Sequence, residues 1–203
     1  MAKIFSVSAR VGVARVVEPT ARALLRAGLT PNAVTVLGTV GVLAGAYLGA
    51  RGWLLAAAGI VTLFALTDLL DGTMARLAGG ATRFGALLDS SLDRVADAAI
   101  FAAVAYWAAS RDDLVTLAAA LVCLGGGQVV SYVKARAEGL GFTCDVGVAE
   151  RFERLILVGV GAVLTGALGW SWGMAAALGV LAVLTVVTVV QRILAVRRQA
   201  RHP

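Results

Sequence analysis

Five aspartates recur between residues 68 and 97, in the stretch DLLDGTMARLAGGATRFGALLDSSLDRVAD, and their spacing is helical. Asp68, Asp71 and Gly72 stand at i, i+3 and i+4 and so share one helical face. Asp89 and Asp93 stand four apart and share another. The AGGA of residues 78–81 lets the chain reverse, making the two acidic helices antiparallel neighbours. Four carboxylates held together repel one another unless protons or cations neutralise them. With neither Cys nor His among them the ligand set is all oxygen, which points to hard cations, Mg²⁺ or Mn²⁺. Two such ions sharing four carboxylates make a clamp for in-line displacement at phosphorus. Ion pairs with Arg76, Arg83 and Arg94 account for one or two of these acids, not for four in register.

The elements that must position these acids belong to a chain built to cross a membrane. Of 203 residues 60% are hydrophobic and 15% charged, which excludes a soluble globular domain. About 20 apolar residues span the hydrocarbon core as a helix. Residues 27–50, 52–67, 98–110 and 114–133 carry no charge, and 155–191 is uncharged throughout, too long for one span. The GWSWG at 169–173 divides that run with a glycine turn and interfacial tryptophans. The expected fold is an all-α integral membrane protein with six transmembrane helices, near 32–50, 53–77, 84–109, 114–138, 151–168 and 173–193. Residues 1–28 read as an amphipathic juxtamembrane helix, bent at Pro19, in front of a membrane domain over 29–203. In it Ile4, Phe5, Val7, Val11, Val16, Val17, Leu24 and Leu25 alternate with arginines, and the expected role is an anionic-lipid anchor. Five basic residues interrupt the first 30 positions, so no cleavable signal peptide is expected.

Orientation follows from the cations. Fifteen basic residues fall at the termini and in the loops of one side, Arg51 and Arg111 on the other, and Arg94 within the third span. By the positive-inside rule both termini are cytoplasmic, in a multi-pass protein of a bacterial cell membrane whose site faces the cytoplasm; no nucleic-acid partner is expected. Counting about 1.5 Å per residue inward from Arg76 and Arg83, Asp68 and Asp71 lie about 12 and 8 Å deep, and Asp89 and Asp93 about 9 and 15 Å. All four thus share one layer just under that surface. Asp97 continues the i+4 stripe but at about 21 Å is too deep for the layer, and reads as a buried hydrogen-bonding acid. Cys123 and Cys144 have no metal spacing and no expected disulfide, and His202 no expected role.

Gly72, beside Asp71 on its face, removes a side chain where a substrate would approach the backbone. Gly85, one turn before Asp89, serves either such approach or helix packing. Thr30-Pro31-Asn32-Ala33-Val34-Thr35 opens the first span with a capping Thr and a Pro at the first helical position. The free N–H groups of such a start suit a phosphate or a cytosine edge, though capping alone also explains the residues. Thr82, beside Arg83, is a further candidate for nucleotide contact.

Asp68-xx-Asp71-Gly72-xx-Ala75-Arg76, eight residues, then Gly85-xxx-Asp89-xxx-Asp93, resembles the complete signature of the CDP-alcohol phosphatidyltransferases. The resemblance implies that Asp68, Asp71, Asp89 and Asp93 bind two metal ions, Mg²⁺ or Mn²⁺, and that Asp93 is also the general base. It implies that Gly72 and Arg76 hold the nucleotide diphosphate, with Ala75 and Gly85 at the other fixed positions. The T-P-N-x-x-T start borders the nucleotide pocket in that family, which adds Pro31, Asn32, Ala33 and Val34 to the contacts with CDP-diacylglycerol. A homodimer in membrane lipid is implied as well.

The signature specifies the donor and not the acceptor. Lys134 and Arg136 end the fourth span, Arg151 and Arg154 begin the fifth, and Arg192 ends the sixth. Cations at three neighbouring helix ends suit a bound anion, hence a phosphorylated alcohol, although some are ordinary positive-inside residues. Lys134, Arg154 and Arg192 are the expected phosphate contacts, with Glu138, Glu150 and Glu153 available to occupy the others. SYVKARAEGLGF at 131–142 is similar to the matching segment of actinobacterial family members that use inositol phosphate. The implied reaction transfers the phosphatidyl group from CDP-diacylglycerol to inositol 1-phosphate (1D-myo-inositol 3-phosphate), giving phosphatidylinositol phosphate and CMP. Glycerol 3-phosphate is the alternative acceptor. A divalent-cation transporter is the competing class, but would show repeats and broken helices near the midplane; the acids here lie near one surface.

Overall fold

The computed structural model describes the backbone of residues 7–201 and the side chains of residues 17–201. Among them all regular structure is helical: α1 (Val7–Arg26), α2 (Pro31–Ala50), α3 (Leu54–Ala65), α4 (Thr67–Leu77), α5 (Arg83–Ala109), α6 (Leu114–Gly139), α7 (Arg151–Gly166) and α8 (Gly173–Gln199). The first six residues of the expected juxtamembrane helix, Ile4 and Phe5 included, lie outside the described residues. Four helical segments are long and apolar enough to cross a membrane: Pro31–Ala50, Leu54–Leu77, Leu114–Gly139 and Gly173–Gln199. Two expected spans are not among them. α7 has only 16 residues, and α5 carries Asp89, Asp93, Arg94 and Asp97 in its first half.

Helix ends fall where local chemistry stops the ladder. Thr30 Oγ1 accepts from the Ala33 N–H at 3.2 Å, and Pro31 opens α2. Past α4, Gly79 and Gly80 take φ of +99° and +117°, a region few side chains tolerate. The Gly80 N–H then returns to the Ala75 carbonyl at 2.9 Å. The chain restarts when Thr82 Oγ1 accepts from the Gly85 N–H at 2.9 Å. Asp113 caps α6 by accepting from the Thr116 N–H at 3.0 Å.

The single helix expected over 53–77 is two. The Thr67 hydroxyl donates to the Phe64 carbonyl at 2.6 Å, and the Leu69 N–H reaches only three residues back, to Leu66, at 3.1 Å. These tighter local bonds compete with the regular ladder and set α4 off from α3.

The chain forms two compact units, one up to Val42 and from Val61 to Val95, the other from Leu43 to Ile60 and from Ala96 onward. In the first, α1 packs on α4, and Ala21, Val34 and Met74 are buried with Leu24, Leu25, Leu29 and Leu70 around them. Through Ala21, Leu24 and Leu25, α1 is thus docked onto the helix that carries Asp68 and Asp71. α2 meets the α3–α4 junction at two glycines. A Cβ on Gly38 would lie 2.1 Å from Thr67 Oγ1, and one on Gly41 2.1 Å from Phe64 Cγ, so only glycine permits this approach.

In the second unit α6 and α7 pack on α8 around Phe101, Trp107, Cys123, Met174, Leu178 and Leu181. Small residues again set the spacing: a Cβ on Gly126 would lie 2.5 Å from Thr185 Cγ2. Cys123 and Cys144 are free thiols, both buried. Trp170 and Trp172 stack at 5.4 Å in the turn before α8.

Candidate active site

The acids come from two helices of the first unit, Asp68 and Asp71 from α4, Asp89 and Asp93 from α5. Asp71 is buried and the other three are half-buried. Asp93 lies 3.7 Å from the Arg94 guanidinium, an ion pair with a neighbouring arginine of the kind the spacing allowed for.

Asp71 has a partner that sequence reasoning missed. The Thr35 hydroxyl lies 2.7 Å from Asp71 Oδ2 and 3.1 Å from the Pro31 carbonyl, so a buried donor on α2 orients this carboxylate. Thr35 is the last residue of the T-P-N-x-x-T segment, which is therefore tied to the acid layer as well as to the helix start. Nothing in the linear sequence marks that contact across 36 positions.

The candidate nucleotide residues gather in part. A Cβ on Gly85 would stand 3.0 Å from both Asn32 Oδ1 and Thr82 Oγ1, which brings the starts of α2 and α5 together. Of the two roles open to Gly85, close packing has this direct geometric support. Thr82 is engaged as the cap of α5. At Gly72 the space a Cβ would fill is open. Arg76 is exposed, with Nη2 donating to Thr73 Oγ1 at 2.7 Å. Ala33 lies at the capped start of α2, Val34 is buried, and Ala75 is half-buried on α4.

Among the described residues no three acidic, His or Cys side chains converge into a closed metal cage. The donor set nevertheless fits a hard divalent ion: all candidate ligands are carboxylate oxygens, and Asp71 is held by an outer hydrogen bond of the kind that orients metal ligands.

The three expected phosphate contacts lie in the second unit, on α6, α7 and α8, and the α6–α7 loop links them. Lys134 Nζ meets Asp145 Oδ1 at 2.9 Å and Glu138 Oε1 at 3.7 Å. Asp145, outside the spans, has its carboxyl held below the usual range by the hydrogen bond and then the charge of Lys134. Arg192, 3% exposed, donates Nε to the Val146 carbonyl at 2.8 Å and Nη1 to the Val130 carbonyl at 2.6 Å, with Glu150 Oε1 3.6 Å from Nη2. Arg154, 2% exposed, donates to Asp97 Oδ2 at 2.5 Å. Asp97 is 3% exposed, the buried acid that its depth implied. One expectation needs correction. Glu138 and Glu150, expected beside the other cations, sit beside Lys134 and Arg192, because i+4 on α6 and the path of the loop bring them there.

Residues 28–191 match the model of the CDP-alcohol phosphatidyltransferase family. A phosphatidylinositol phosphate synthase from Mycobacteroides abscessus is 50% identical over 186 residues, 91% of this chain and 84% of the relative. The crystal structure of the Mycobacterium tuberculosis phosphatidylinositol phosphate synthase with CDP-DAG bound is 46% identical, with a TM-score of 0.86 over 90% of this chain and 94% of that one. The same mycobacterial enzyme in complex with manganese and citrate gives a TM-score of 0.83 at 45% identity, over 89% of this chain and 88% of that one.

Proposed function

This chain belongs to the CDP-alcohol phosphatidyltransferase family, and on that premise we propose that it makes phosphatidylinositol phosphate. It transfers the phosphatidyl group from CDP-diacylglycerol to inositol 1-phosphate (1D-myo-inositol 3-phosphate), with release of CMP. The observation that carries this reading is the near-complete superposition on a relative holding that donor, in a chain that keeps both acid pairs at their spacing.

The acceptor hydroxyl attacks the phosphorus that bears diacylglycerol, and the bond from that phosphorus to the CMP oxygen breaks. Asp93 takes the hydroxyl proton on a carboxylate oxygen. Asp68, Asp71, Asp89 and Asp93 hold two divalent ions, Mg²⁺ or Mn²⁺, which when bound supply charge stabilisation on the diphosphate. Thr35 keeps Asp71 in its binding orientation. Gly72 leaves the backbone open for the diphosphate, and Arg76, with the start of α2 from Pro31 to Val34, contributes donors to the nucleotide end. Ala75, Thr82 and Gly85 complete the walls of that pocket. Lys134, Arg154 and Arg192 receive the acceptor phosphate.

The chain crosses a bacterial cell membrane six times, α5 and α7 included, with both termini and the site on the cytoplasmic side. The excess of arginines and lysines on that side supports this orientation. The lipid tails of the donor then remain in the bilayer while its head enters the acid layer, and the protein acts as a homodimer.

Purified protein in detergent, given CDP-diacylglycerol and Mg²⁺, is expected to release CMP on addition of inositol 1-phosphate and far less with free inositol or glycerol 3-phosphate. Asp93→Asn is expected to lower turnover by about 10²–10⁴-fold, the usual range for a lost general base. Preference for glycerol 3-phosphate would overturn the acceptor and keep the chemistry. Full turnover by Asp93→Asn would remove the base assignment.

A further inference from the structure

Asp97 is the one acid of the α5 stripe that the reaction above leaves without a role, and it is nearly as buried as any charged group in the described chain. Its two carboxylate oxygens face different arginines of α7. Oδ2 accepts from Arg154 Nη2 at 2.5 Å, and Oδ1 lies 3.7 Å from Arg151 Nε. The Arg154 guanidinium is also pinned on its other side, where Nη1 points to the Ala149 carbonyl at 3.5 Å. Its Nε is buried and makes no hydrogen bond within the structure, and it runs past Gly127, where a Cβ would lie 3.8 Å away. Arg154 is therefore a planar donor group fixed in orientation by Asp97 with capacity left over.

We propose that Asp97 is a positioning residue for the acceptor: by clamping Arg154 it holds that guanidinium in the orientation that receives the acceptor phosphate. The inference rests on Arg154 being an acceptor contact, as in the functional reading above. It adds a reason for the continuation of the acidic stripe. Asp97 is i+4 from Asp93 on the same helix.

The experiment measures CMP release by purified protein while inositol 1-phosphate and CDP-diacylglycerol are varied separately. Asp97→Asn is expected to raise the acceptor KM about 10–100-fold, the range for outer partners of a ligating side chain, with the donor KM changed by less than about twofold. Asp97→Glu, which keeps the charge, is expected to recover most of that loss. A folded Asp97→Asn protein with the wild-type acceptor KM, or with both KM values raised alike, overturns the proposal. Asp97→Asn leaves a guanidinium buried without its carboxylate and can fail to fold. In that event Asp97→Asn/Arg154→Gln is compared with Arg154→Gln alone. Equal acceptor KM values support the proposal, because Asp97 then acts only through Arg154; a further rise, or an Arg154→Gln protein with the wild-type KM, overturns it. Wild-type release with glycerol 3-phosphate alone removes the inositol phosphate reading and not this one, since the same comparison then runs with that acceptor.

Discussion

The Thr35 hydroxyl and Asp71 Oδ2 stand 2.7 Å apart, joining the first turns of α2 to the acidic helix α4. Asp71 is the most buried of the four signature acids, and this bond to a carboxylate is of the stronger, charge-assisted kind. Thr35→Val keeps the shape and removes the donor. A hydrogen bond to a charged group contributes about 1.5–3 kcal/mol, so kcat/KM is expected to fall roughly tenfold or more. The fall is expected to be partly relieved at high Mg²⁺ if Asp71 binds metal as proposed, because the lost bond then orients a metal ligand. Turnover titrated with Mg²⁺ in both proteins checks this, and identical titrations would count against the assignment.

Chelation tests the ion requirement without mutation. Excess EDTA is expected to abolish CMP release, and both Mg²⁺ and Mn²⁺ to restore it, as an all-carboxylate set accepts either. Zn²⁺ is expected to restore it poorly, since no Cys or His is among the candidate ligands. Residual activity in EDTA would argue against a metal-assisted displacement.

The approach of α2 to the α3–α4 junction depends on two glycines. At Gly41 a Cβ would lie 2.1 Å from the Phe64 ring, which cannot be absorbed without moving a helix. Gly41→Val is expected to destabilise the protein by about 1–3 kcal/mol, the usual range for overpacking, seen as a lower midpoint of thermal unfolding in detergent. Gly59, whose Cβ position is open, gives the control: Gly59→Ala is expected to leave the midpoint unchanged or slightly raised.

Asp145 and Lys134 make a pH-dependent contact at the end of α6. The carboxyl is held below its ordinary value of 3.8 by Lys134, so its contribution to stability is present above that pH and is lost as the pH falls through the lower folded value. Asp145→Asn is therefore expected to differ from the wild type by a small, constant amount at neutral pH, with the difference shrinking only below 3.8. Thermal unfolding of the two proteins across a pH series measures it. A difference that changes between pH 6 and pH 8 would point to another titrating group (about the range in which histidine titrates).

The amino-acid sequence by itself determined most helix ends, the acid spacing and the family. Thr30, Pro31 and the Gly79–Gly80 pair are local stop and start signals, and their effect depends on neighbours within one turn of helix. The i, i+3 and i, i+4 spacing of the aspartates likewise needs nothing beyond helical geometry. Only the tertiary structure decided which residues meet: Thr35 with Asp71, Gly41 with Phe64, Glu150 with Arg192, and Asp97 with Arg154. In a soluble helix the apolar stripe reveals the inward face. Here α2, α6 and α8 are apolar on nearly every side, so that signal is flat and the packed face is set by where small residues allow close approach. The α3–α4 break is local instead: the Thr67 hydroxyl turns back onto the Phe64 carbonyl three residues earlier, a choice that a threonine in an apolar run does not announce.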